Sequence, residues 1–153
     1  MEKIMSASEP VMLNPQIVGQ LEKRHEAILR KVLAGISLDE KQWITVQVAL
    51  GAGQSISHKE LVGRVCGLAV LEPAVVEAAI VGLVDASLIE ELPGADDQLA
   101  VTSQGRELVS ALQAKVQDFI GPAYGSVSPE DLATAGKVAS AITARLSDAL
   151  ASS

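Results

Sequence analysis

The feature that most constrains this chain is a single break in an otherwise helical pattern. Residues 88–92 and 98–102 are short strand-like runs, and between them lies Pro93-Gly94-Ala95-Asp96-Asp97, a stretch of turn formers. Together they predict one small β-hairpin. Through most of the remaining chain apolar residues recur at helical spacing, so the fold must be helices arranged around that hairpin. The sequence is 48% hydrophobic but only 2% aromatic, which favours helices packed through small and branched aliphatic side chains. With 153 residues, one core is attainable without metal or disulfide staples.

Six helices are expected. Pro15 suits a first helical position, Ile17, Leu21, Ile28, Val32 and Leu33 follow at helix spacing, and Gly35 stops the pattern. Ser37 to Glu40 has the form of a capping box and opens a second helix, with Trp43, Val46 and Leu50 on one stripe, ended by Gly51-Ala52-Gly53. Ser57 to Glu60 repeats that form and opens a third through Leu61, Val62 and Val65 to Gly67. Pro73 starts a fourth, with Val76, Ile80, Leu83 and Val84, reaching about Ser87. After the hairpin, Thr102 or Ser103 caps a fifth helix carrying Leu108, Leu112, Val116, Phe119 and Ile120, expected to end before Gly121-Pro122. Ser128-Pro129-Glu130-Asp131 starts the sixth, whose stripe of Leu132, Ala135, Ala139, Ile142, Leu146 and Leu150 is suited to packing on another helix. Residues 1–14 lack a sustained period and read as an N-terminal arm, able to cross to a partner subunit.

A central trio of helices with a hairpin directly after it, and long helices at both ends, is the order of a mainly α winged helix-turn-helix with a two-stranded wing and terminal dimerisation helices. Four local phrases then occur in order: Leu38-Asp39-Glu40-Lys41-Gln42-Trp43; Ile56-Ser57-His58-Lys59-Glu60-Leu61; residues 83–89; and Val101-Thr102-Ser103-Gln104-Gly105-Arg106. In this order and spacing they resemble the MarR family of bacterial transcription regulators, over roughly residues 15–150. That resemblance implies a single domain over residues 15–153, with a winged-helix lobe at about 37–103 and dimerisation helices at about 15–34 and 103–150. It further implies a homodimer, a fourth helix that enters a DNA major groove, a wing that touches minor groove or backbone, and an effector pocket between the dimerisation module and the DNA-binding lobe.

The charge distribution departs from that role. Between Arg64 and Arg106 stand Glu72, Glu77, Asp85, Glu90, Glu91, Asp96 and Asp97 with no Lys, Arg or His among them, so this stretch carries the whole formal charge of −7. It spans both the reading helix and the wing, where DNA binding requires cations toward phosphates and donors toward base edges. The fourth helix begins Pro73-Ala74-Val75-Val76-Glu77-Ala78-Ala79, where family members usually place Ser, Thr and Arg, and only Glu77 could meet a base edge, as an acceptor. The candidate DNA contacts are therefore Ser57, His58, Lys59, Arg64, Glu77 and Arg106, with Lys23, Arg24, Arg30 and Lys31 as further flanking cations.

His25 falls four residues after Leu21 and three before Ile28, on the apolar stripe of the first helix. It is either a hydrogen-bonded interfacial histidine or, with Arg24, Trp43 and Gln47, part of a pocket offering a cation, a ring and an amide to a small planar or anionic ligand. Trp43 suits the core or a pocket wall, and His58, just after a capping Ser, suits a solvated surface. Cys66, the only cysteine, reads as a buried small residue; alone it excludes an intramolecular disulfide and fits the reducing cytoplasm. No metal-ligand spacing, Gly-rich phosphate loop or paired nucleophile and base appears, so no metal, cofactor or recognisable catalytic motif is expected. Nor is a secretion signal or membrane span.

Three functions follow as alternatives. The first is a ligand-responsive homodimeric MarR-like regulator with unconventional contacts to double-stranded DNA. In the second, the same fold has lost DNA binding and binds or transforms a small molecule in its interhelical pocket. The third is an interaction module whose acidic lobe meets a basic protein.

Overall fold

The computed structural model of the protein describes residues 11–94 and 96–153. Most of the expected arm, residues 1–10, lies outside the described residues. The elements are α1 (Pro15–Leu33), α2 (Glu40–Gly51), β1 (Ile56–Ser57), α3 (His58–Ala69), α4 (Pro73–Asp85), β2 (Ile89–Glu91), β3 (Gln98–Val101), α5 (Ser103–Gly125) and α6 (Pro129–Ser152). Two compact units result, Met1–Gln113 and Ala114–Ser153, and α5 begins in the first and ends in the second.

In the first unit, helix starts follow the capping chemistry with one shift of register. The expected Ser37/Glu40 box does not form: Asp39 is the N-cap of α2, its carboxylate accepting from Gln42 N at 2.8 Å while Gln42 Oε1 accepts from Asp39 N at 2.9 Å. Leu38 is buried, and its N–H donates to Ile36 O at 2.8 Å, which uses residues 36–38 to bring the chain in and leaves Asp39 as the first residue able to cap. At α3, Ser57 does cap, accepting from Glu60 N at 3.0 Å, but the Glu60 carboxylate pairs with Arg64 one turn on. Pro73 stands at the start of α4 and Asn14 caps α1.

The sheet has three strands in the order β1-β3-β2, all antiparallel, rather than the expected two. Ile56 opposes Leu99 and Ser57 opposes Gln98. A two-residue strand is too short to show a period, so β1 leaves no sequence signal. Its pairing is reinforced by His58 N, which donates to Asp97 O at 2.8 Å, and it leaves β3 central in the sheet.

The core of this unit is made by Trp43 and Val46 of α2, Leu61 and Val65 of α3, Val76, Ile80 and Leu83 of α4, Ile89 and Leu99 of the sheet, and Val109 and Leu112 of α5. Between α3 and α4 the chain turns by 120°, the angle of a helix-turn-helix. α2 packs against α4, with the end of the Gln42 side chain lying over Gly82. The Thr-x-x-Gly phrase at the start of α5 locks the wing to the helices. Thr102 Oγ1 donates to Ser87 O at 2.7 Å and accepts from Gly105 N at 3.0 Å, while Gly105 lies where a Cβ would meet Leu88 O at 2.4 Å. No single helix among the described residues is long and apolar enough to cross a membrane.

The second unit holds the end of α5 and all of α6. Here α5 does not stop before Gly121-Pro122; it continues through Pro122 to Gly125. Pro122 lies in the last turn, where its missing N–H forfeits one hydrogen bond without ending the helix. Ser128 caps α6 as expected, accepting from Asp131 N at 3.1 Å. No residue of α6 is buried, and Val138, Ile142, Leu146 and Leu150 stand exposed along it.

Candidate reading face and ligand cleft

Burial divides α4 into two faces. Val76, Ala79, Ile80 and Leu83 point into the core, whereas Ala74, Glu77, Ala78, Val81 and Asp85 are exposed. The hairpin adds Glu90 and Glu91 from β2 and Asp96 and Asp97 from its turn, all exposed. This surface therefore presents carboxylates and methyl groups. Carboxylates accept hydrogen bonds but repel phosphate, so the face cannot make the contacts by which reading helices hold a duplex.

Several candidate DNA contacts are already engaged inside the protein. Ser57 accepts from Glu60 N as the cap of α3. Half-buried His58, instead of standing solvated alone, places Nε2 2.5 Å from Glu77 Oε1 and ties the start of α3 to the outward face of α4. The His58 ring also borders a concavity of about 340 Å³ shared with Glu91, Asp96 and Asp97. Arg64 is held by Glu60. Lys59 and Arg106 are exposed, on α3 and at the start of α5. Cys66 is half-buried rather than buried, because it falls beside the C-terminal turn of α3.

A second feature lies at the opposite end of α3. A cleft of about 510 Å³ opens between the middle of α1, the start of α2, the end of α3 and the turn that follows it. Its apolar wall is Leu29, Ile44, Leu68, Val70 and Leu71; Glu22, Glu26 and Glu40 supply carboxylates, with Lys41 and His25 beside them. Leu68 and Val70 are 70% and 73% exposed. Val70 ends α3 in the left-handed region, φ 53° and ψ 55°, with its N–H donating to Cys66 O. A β-branched residue there costs roughly 1–3 kcal/mol, where glycine would cost little. The strained turn thus holds an apolar side chain out at the mouth of the cleft.

Of the four residues singled out as pocket candidates, His25 lines this cleft. Arg24, Trp43 and Gln47 do not: Trp43 is buried in the core, Gln47 is half-buried and Arg24 is exposed, its guanidinium donating to Gln20 O at 3.3 Å. Sequence reasoning did not single out Glu22, Glu26, Glu40, Leu68 or Val70. A signal was present, since Glu22, His25, Glu26 and Leu29 recur at the i, i+3, i+4, i+7 spacing of one helix face.

No protein-family sequence model matches the chain, and no curated protein matches it significantly in sequence. Solved structures do. A MarR family transcriptional regulator from Silicibacter pomeroyi DSS superposes with a TM-score of 0.70 at 20% identity, over 84% of each chain. CouR from Rhodococcus jostii RHA1, bound to p-coumaroyl-CoA, gives 0.71 at 15% identity, over 83% of this chain and 89% of that one. NadR in complex with 4-hydroxyphenylacetate gives 0.69 at 16% identity, over 87% and 96%. The identities are low, but each superposition covers more than four fifths of both chains. The chain has the winged helix-turn-helix fold of the MarR family.

Proposed function

We propose that the protein is a ligand-responsive, homodimeric MarR-like transcription regulator with unconventional DNA contacts. The observation that carries this reading is the position of the cleft. Leu68, in the last turn of α3, and Val70 and Leu71, in the turn that sets α4 relative to α3, form part of its wall. A ligand seated there has different contacts for each setting of that turn, which is what coupling between a small molecule and a reading helix requires. Two of the structurally similar proteins, NadR and CouR, were solved with small molecules.

Dimerisation through α1, α5 and α6 is supported by their exposed apolar residues, among them Val18 and Leu21 of α1, Phe119 of α5 and Leu146 and Leu150 of α6. Contact with DNA would then run through Lys59, at the start of α3, and Arg106, at the start of α5, rather than through α4 itself. Selection of genomic DNA fragments by the purified dimer at low salt, followed by salt titration of any enriched fragment, tests this. Enrichment with a steep salt slope is the expected result.

A second reading is favoured by the cation-free outward face of α4 and the pairing of His58 and Arg64 with carboxylates. In it the fold keeps its cleft and has lost DNA binding. No enrichment from an intact dimer that still binds a small molecule would establish this second reading over the first.

A further inference from the structure

We infer that the cleft between α1, α2 and the α3–α4 turn selects an organic cation with an apolar body, rather than an aromatic acid. This rests on the reading of that cleft as the ligand site and names the ligand's class. The charges of the lining come from two helices. Glu22 and Glu26 lie one turn apart on α1, and Glu40 stands in the first turn of α2, against the single ammonium of Lys41. Glu26 also pairs with Lys23, which lies outside the lining, at 3.8 Å, so the excess of negative charge rests chiefly on Glu22 and Glu40 against Lys41 and the His25 ring, and a carboxylate ligand would add to that excess.

The apolar share of the lining sets the second requirement. Leu29 lies one turn beyond Glu26 on the same face of α1, and Ile44 one turn beyond Glu40 on α2, so each helix offers a carboxylate and an aliphatic side chain in succession. Leu68 and Val70 complete the wall while largely exposed, as residues do whose apolar surface awaits a cover. A volume of about 510 Å³ is of the size that holds a small organic molecule. A compact inorganic cation would leave the aliphatic wall wet, and a neutral hydrocarbon would leave the excess negative charge of Glu22 and Glu40 uncompensated. A lipophilic cation satisfies both.

Tetraphenylphosphonium and tetraphenylborate are a matched test, since they share shape and apolar surface and differ in the sign of charge. Binding of each to the full-length protein is read by calorimetry and by the emission of Trp43, the only tryptophan. The expected result is a preference of at least tenfold for the phosphonium. The combined variant Glu22→Gln, Glu26→Gln, Glu40→Gln should lose that preference while keeping the parent's urea midpoint and retaining contact with the apolar body. Equal binding of the two ions, a preference for the borate, or a phosphonium preference that survives in the Gln variant would overturn the charge assignment and leave the ligand site standing. Binding of neither ion, or binding untouched by Leu68→Ser and Ile44→Ser, would instead remove the cleft as the ligand site, and the charge assignment with it.

Discussion

The inward and outward faces of α4 belong to the same thirteen-residue helix and carry opposite information. Inward, Val76 and Leu83 are wholly buried, with Ile80 and Ala79 nearly so, and this face joins α2 and the sheet in a winged helix-turn-helix core. Outward, Ala74, Glu77, Ala78, Val81 and Asp85 offer nothing that binds phosphate. The inward face is what structural similarity measures. Contact with DNA depends on the outward face, which can be rewritten without disturbing the fold, so the MarR likeness establishes architecture more firmly than activity.

The largest effect that tests this division is Leu83→Ala. The side chain is fully buried, and its loss should cost about 2–5 kcal/mol in unfolding free energy, read from urea denaturation. Gly105→Ala should follow at roughly 1–3 kcal/mol, because the new methyl meets the Leu88 carbonyl, a backbone atom that cannot rotate away. If either variant unfolds at the parent's midpoint, the inward face and its wing joint are not what holds this lobe together.

Those two positions also show what could be read from the chain. Leu83 belongs to a helical stripe and Gly105 to a Thr-x-x-Gly phrase, both local patterns, and both took their expected places. The start of α2 moved by two residues, because Ser37 and Asp39 are both competent caps and the burial of Leu38, a tertiary matter, chose between them. β1 escaped notice because its partner, β3, lies some forty residues on and nothing in Ile56-Ser57 announces it. The cleft was legible only in part, through the stripe that includes His25. Its remaining walls come from α2 and the α3–α4 turn, and only the fold brings these together.

A smaller change in stability, with a sharper consequence for function, is expected from Ala74→Arg with Ala78→Arg. Both sites are exposed, so unfolding should shift by no more than about 0.5 kcal/mol for each. If α4 faces a duplex, non-specific DNA binding should rise, and the slope of log affinity against log salt should steepen by roughly 0.9 for each new phosphate contact. An unchanged slope would show that α4 does not approach DNA at all, and the division between its faces would then have nothing to do with a lost reader.

The smallest expected effect belongs to Glu77→Gln, the one substitution that bears on both sides of the comparison. His58 and Glu77 are each partly solvated, and such pairs contribute about 0–1 kcal/mol, so the variant should stay close to the parent in urea. It also removes one negative charge from the centre of the outward face, while the Gln amide oxygen can still accept from His58 at the head of α3. Should α4 face the phosphates, even this change strengthens low-salt binding; should contact run only through Lys59 and Arg106, affinity stays where it was. A loss of stability well beyond 1 kcal/mol would be the more instructive failure. It would mean that the acidic face is held in place as part of the fold, with Glu77 kept to anchor α3 against α4, and its negative charge would then need no functional explanation.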